Sequence, residues 1–278
     1  MSQKDKQTES ILKYGFRSPV VENECPRVAR KDHQAWFHLA EDLNVFGQWL
    51  LQEGIARAPG KEIAGPFAFA TRLFIRTMSN FQGALILAER GLAGEGLTCV
   101  RAIHENTILL AGLKSFPEET LQHLRADDHK NGQQRLKLFA KLVIYYEGDE
   151  SILSEAQARL AEFEIEKPDG HSDLRKIAEN SETTVIYLLF RHLSATAAHA
   201  SFASLNHHDW IEEGEFKGFS VGPNMDRYPA VVSFASHALL IAISYGIDLL
   251  TGEEGHPELQ SLYERVHALG PTPGEHIV

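Results

Sequence analysis

Apolar residues recur at intervals of three and four along most of this chain, and sustained alternation at intervals of two is absent. In "WFHLAEDLNVFGQWL" the positions Trp36, Leu39, Leu43, Phe46 and Leu50 predict an amphipathic helix, and Gly60 with Gly65-Pro66 ends the pattern. "FAFATRLFIRTMSNFQGALILAERGL" is apolar on most of its circumference, which predicts a central helix. Gly91, Gly94 and Gly96 predict a short turn into a third helix, "LTCVRAIHENTILLAGL", so these two are expected to run antiparallel. Pro117 fits the first position of a fourth helix, bent near Asn131-Gly132, with Glu118 and Glu119 at its positive end. A charged helix from Ser151 to about Phe163 leads into the loop "EKPDGHSD". Asn180 or Ser181 is expected to cap the helix that follows. After the loop "NHHDWIEEGEFKGFSVGPNMDRYP", a long apolar helix is predicted from about Ala230 to Leu250, with a short one after Pro257.

The fold class is therefore all-α: a single-domain bundle of long helices joined by short glycine- and proline-marked turns. Its expected extent is 30–270. Residues 1–29, polar and containing Pro19 and Pro26, read as an extended lead-in draped on the surface, and 271–278 as a tail.

Composition adds bounds on partners. The 278 residues carry a formal net charge of −11, which disfavours nucleic acid and anionic membranes as partners. No run reaches the roughly 18 apolar residues of a spanning segment, and the polar start lacks a signal-peptide core, so a cytoplasmic location is expected. Cys25 sits in a polar context and Cys99 in an apolar helix, so neither a disulfide nor a zinc site is expected. No cofactor is implied.

The informative residues are polar ones inside apolar helices. Arg101 and Glu105 are four apart in "CVRAIHENTILL", so they share a helix face. They read either as a structural ion pair or as a charged site, Arg101 taking an anion and Glu105 orienting it or acting as base. His104-Glu105 fails the zinc-protease pattern because position 108 is Ile108, and no Glu-x-x-His pair recurs, so no metal is expected. His207, His208 and Asp209 follow a helix end, and because adjacent histidines rarely point at one ion they are expected to face solvent.

"SATAAHASFASLNHH" raises a different question. Ser194, Ala195, Ala197, Ala198, Ala200, Ser201, Ala203 and Ser204 cover nearly every face of a helix and would let a neighbour approach closely. His199 among them needs a partner if buried, and Glu105 on an adjacent helix is the expected one. His192 and His199, seven apart, would share a face of one helix. Helical ribonucleases of the HEPN type carry Arg, four to six residues, then His; Arg191 and His199 have seven between them. No Arg and His in the chain are expected to have that spacing, so the motif is missed by one residue.

"SNFQGALILAERGLAGEGLTCVRAIHENTILLAGLKSFPE" with the later "YLLFRHLSATAAHASFASLNHH" resembles an uncharacterised, mostly bacterial family of all-helical proteins known only as a domain of unknown function. The motifs are a glycine-separated helix pair with Arg and Glu four apart, matched by Arg101 and Glu105, and a later helix matched by Leu193, Ser194, His199 and Ser201. The resemblance covers about 70–250 and implies the fold and the location of a site, with a distant fold analogy to HEPN-like helical domains of defence and toxin systems.

Three readings follow. The first is a ligand-binding or interaction protein in a bacterial stress or defence setting, with Arg101, Glu105, Tyr187, Ser194, His199 and Ser201 around one polar pocket. Its partner would be a small ligand or a protein, and a homodimer is allowed. The second is a metal-independent, HEPN-like ribonuclease or other hydrolase using His199, Arg101 and Glu105 as catalytic groups. The third is a scaffold in which these residues are structural.

Overall fold

The computed structural model describes residues 3–146, 149–165 and 173–270. In chain order its helices are α1 (Gln3–Tyr14), α2 (Cys25–Asp32), α3 (Gln34–Ala56), α4 (Pro66–Glu89), α5 (Ala93–Ser115) and α6 (Pro117–Tyr145). Then come α7 (Glu150–Ile165), α8 (Leu174–Asn180), α9 (Thr184–Leu193), α10 (Phe202–Leu205), α11 (Tyr228–Thr251) and α12 (Pro257–Ala268). Strands β1 (Asp209–Glu212) and β2 (Glu215–Phe219) form one antiparallel hairpin. The fold is all-α, with this hairpin as its one small sheet among the described residues.

The most apolar helix lies at the centre. α11 packs against α3, α4 and α5, and residues on all its faces are buried, among them Val231, Val232, Ala235, Leu239, Ile243 and Ile247. A helix apolar all round needs neighbours on every side, and these three supply them. α11 also has the length and hydropathy of a membrane span, contrary to the sequence expectation that no segment would. Most of that stretch is buried inside the protein, so its apolar surface is occupied by the core.

Local chemistry places the helix ends. Pro66 opens α4 and Pro117 opens α6, where a missing N–H costs nothing, and Gly252 closes α11 with φ +71°. Between α4 and α5 the chain turns at Gly91, whose φ is +72°. A Cβ there would also lie 2.7 Å from Pro223 and 2.9 Å from the Asn224 nitrogen, which donates to the Gly91 carbonyl. The turn thus needs glycine for its dihedral and for the backbone packed on it.

Several expectations are corrected. Gly94 and Gly96 lie inside α5; Gly96 lets Val231 of α11 come within 2.6 Å of where a Cβ would be. α6 is continuous past Asn131-Gly132, and Gly132 lies buried against the Phe163 ring of α7. The lead-in is helical: α1 is built from helix-forming Gln, Lys, Glu, Ile and Leu, and Val21, Cys25 and Ala29, four apart, bury one stripe leading through α2. Asn180 ends α8 and Ser181 follows it, so the residue preceding α9 is Thr183. The hairpin was expected as loop. The greater part of "EKPDGHSD" and the tail 271–278 lie outside the described residues.

Candidate functional site

The face of α5 that meets α9 carries Thr98, Arg101 and Glu105, at spacings of three and four. Thr98 donates from its hydroxyl to the Ala197 carbonyl at 3.3 Å, fixing α5 against the end of the small-residue run. One turn on, Arg101 donates through Nε to Ser194 Oγ at 2.9 Å, and Ser194 in turn donates to the Phe190 carbonyl at 2.7 Å. The guanidinium carbon sits 4.7 Å from the Phe190 ring centre, and Tyr187 stacks on that ring at 6.0 Å. Phe190 thus contacts both the Arg101 cation and the Tyr187 ring.

Glu105 is a weaker partner than its spacing suggested. Its Oε2 lies 3.8 Å from Arg101 Nη1, beyond hydrogen-bond length, and the two side chains are 30% and 22% exposed. Arg preceding Glu by four residues is the less favourable order on a helix, consistent with a loose pair. The terminal nitrogens of Arg101 therefore make no hydrogen bond among the described residues, while Nε is committed.

The small-residue run does more than allow close approach. α9 ends at Leu193, and Ser194–Ala198 continues as one wide π turn. Ser194 and Thr196 each donate from their hydroxyls to the carbonyl four residues back, at 2.7 Å and 2.9 Å. Those bonds compete with the ordinary backbone ladder and loosen it. Beyond it the chain is extended at His199, with φ −113° and ψ 142°. Ser201 then caps α10, accepting from the Ser204 nitrogen and donating to the Ala195 carbonyl at 2.6 Å, and Ser204 Oγ donates to the His199 carbonyl at 2.5 Å.

The six sequence candidates therefore divide. Arg101, Ser194 and Tyr187 meet around Phe190, and Glu105 reaches Arg101 alone, at 3.8 Å. Ser201 serves as a helix cap. His199 is exposed and its ring makes no hydrogen bond or ion pair with Arg101 or Glu105 among the described residues. The expectation that it pairs with Glu105, and shares a face with His192, is corrected: the π turn and the extended residue after it break the helical phase on which both rested. Arg27 and His33, with five residues between them, do have the HEPN-type spacing that the sequence reading gave to no pair. His33 lies past the end of α2 with non-helical dihedrals and packs edge-on to Tyr228, so the two are not on one helix face.

Two residues escaped attention as site candidates. His104 is buried on α5; burial pushes its imidazole down to about 4, and its Nδ1 has no hydrogen-bond partner among the described residues. His192 Nε2 is likewise buried without a partner among them. The signal for His104 is its place as a polar residue inside the apolar run "CVRAIHENTILL". Among the described residues, no three His, Cys, Asp or Glu side chains converge as a metal site. Cys25 and Cys99 are free thiols, both pushed up by burial.

The model of a family of unknown function, DUF5677, matches residues 67–217. That range takes in Arg101, Glu105, Tyr187, Ser194, His199 and Ser201, and stops short of α11 and of the 250 to which the resemblance extended. No curated protein and no solved structure matches.

Proposed function

The chain belongs to that family of unknown function, and on this premise we propose that it is a binding protein whose recognition centre is Arg101 at the seam of α5 and α9. The observation that carries the reading is the state of the guanidinium. It is held in place by Ser194 and the Phe190 face, yet among the described residues its terminal edge makes no hydrogen bond and only a loose ion pair with Glu105 at 3.8 Å. A planar fork fixed in this way takes a carboxylate through two parallel bonds. Glu105 at 3.8 Å selects among anions: it repels a doubly charged phosphate more than a singly charged carboxylate. Its own oxygens accept no hydrogen bond among the described residues, so they suit an N–H beside that carboxylate. The ligand class is a small carboxylic acid bearing an N–H donor, such as an amino acid or the C-terminus of a peptide. A cytoplasmic setting belongs to the same proposal.

The test is a thermal-shift panel of free amino acids, N-acetyl amino acids and simple carboxylates, with inorganic phosphate as comparison. Stabilisation by an N-acetyl amino acid in the native chain, lost in Arg101→Met, is expected. Stabilisation that survives Arg101→Met, or that phosphate alone produces, would overturn the reading.

A further inference from the structure

The distal half of α6 and the helix after it form an arm with an uncovered apolar side. α6 has 29 residues and so is about 43 Å long at ~1.5 Å per residue. Its first turns pack on α5, and its chief neighbour beyond them is α7. The two arm helices are locked near the body, where His129 Nε2 donates to the Phe163 carbonyl at 2.6 Å and the Phe163 ring covers Gly132. Further out, Leu138, Phe139, Leu142, Tyr145 and Tyr146 are all exposed, the two tyrosines by 77% and 74%. At ~100° per residue these five occupy an arc of about 120° that borders the α7 seam, and Ile152 of α7 extends it. A two-helix layer with such a stripe has nothing of its own to bury it against.

Charge identifies the occupant. Residues 130–146 hold four basic side chains, Lys130, Arg135, Lys137 and Lys141, and no acidic one. α7 holds Glu150, Glu155, Glu162 and Glu164 against the single Arg159. The arm therefore has one basic helix beside one acidic helix, in a chain that is acidic as a whole. A second arm turned through a two-fold axis lays acidic α7 beside basic α6, twice over, while the apolar stripes meet between them. Isologous contact requires this self-complementarity. The six exposed apolar side chains lie side by side on the arm, a contiguous patch of the kind that marks a protein–protein contact.

We propose that the α6–α7 arm is a self-association surface, and that its partner is the same arm of a second copy, the two hairpins closing into a four-helix bundle. The proposal is independent of the Arg101 reading. Sedimentation velocity on the full chain, over a dilution series, tests it. A concentration-dependent dimer is expected, and Leu142→Glu with Tyr146→Glu should raise its dissociation constant at least about tenfold. Because these positions are exposed, circular dichroism should show the variants folded. Lys137→Glu with Lys141→Glu should weaken the dimer in the same way, and adding Glu150→Lys with Glu155→Lys should restore it. A native chain that stays monomeric throughout the series would overturn the proposal. So would a dimer indifferent to the arm substitutions, which would move the interface elsewhere, for instance to the exposed Val185 and Leu188 of α9.

Discussion

Acid should destabilise this protein through His104 at pH values where most carboxylates are still ionised. His104 is 3% exposed, and burial lowers its imidazole from 6.5 to about 4. The native state therefore excludes a proton that the unfolded chain binds readily. Stability contributed by this group is present above the unfolded value and is lost as pH falls from about 6.5 towards about 4. With these two values the loss between pH ~7 and pH ~5 is about 2 kcal/mol, rising to ~3 kcal/mol when the native site itself titrates. Replacing His104 by Leu removes both the titration and the Nδ1 that has no partner, at roughly constant volume. The assay is urea unfolding of both proteins at the two pH values, read as the difference in stability between them. Other histidines contribute equally to both chains and cancel. The variant should gain on the native chain by about 2 kcal/mol at the lower pH. A difference that does not change with pH would show that His104 is solvated or already partnered, and the reasoning from burial would fail.

Other outcomes follow from close contacts. Gly91→Ala places a Cβ at positive φ against the Pro223–Asn224 backbone, and should lower stability by about 2 kcal/mol or more in the same unfolding assay. Gly112→Ala meets the β-branched Thr120 and Ile177 at 2.6 Å and 2.7 Å, and a loss of ~1–3 kcal/mol is expected despite the gain in helix propensity. Ser194→Ala deprives Arg101 Nε of its acceptor and should cost about 1–2 kcal/mol by thermal or urea melting. His199→Ala, at an exposed side chain, should stay within about 0.5 kcal/mol of the native chain.

The long helices were legible because each buries a stripe at the helical period, and α11 because it buries every face. The hairpin was not. Its strands are exposed on both sides, so no buried face imposes alternation, and its turn uses Glu213 at φ +53° before Gly214 at φ +78°, where Asn or Asp is the usual signal. Arg101 and Glu105 could be read from spacing alone, and Ser194 from its place among small residues. Their surroundings could not: Phe190 as the platform emerges only once α9 is laid on α5. His199 was misplaced because a regular helix was carried through Ser194–Ala198, where serine and threonine hydroxyls bond back to the backbone and widen the turn. Polar side chains that reshape their own helix leave no mark on hydrophobic periodicity.

Arginine side-chain NMR puts the central claim to the most direct test. The Nε–H resonance of Arg101 is assigned by its absence in Arg101→Lys, and observed while an N-acetyl amino acid is titrated into the ¹⁵N-labelled chain. Because Nε is already bonded to Ser194 and the terminal edge makes no hydrogen bond among the described residues, the account expects this resonance to shift in a saturable way, with the other arginines unmoved. Saturable binding that perturbs other arginines and leaves Arg101 unchanged would contradict it.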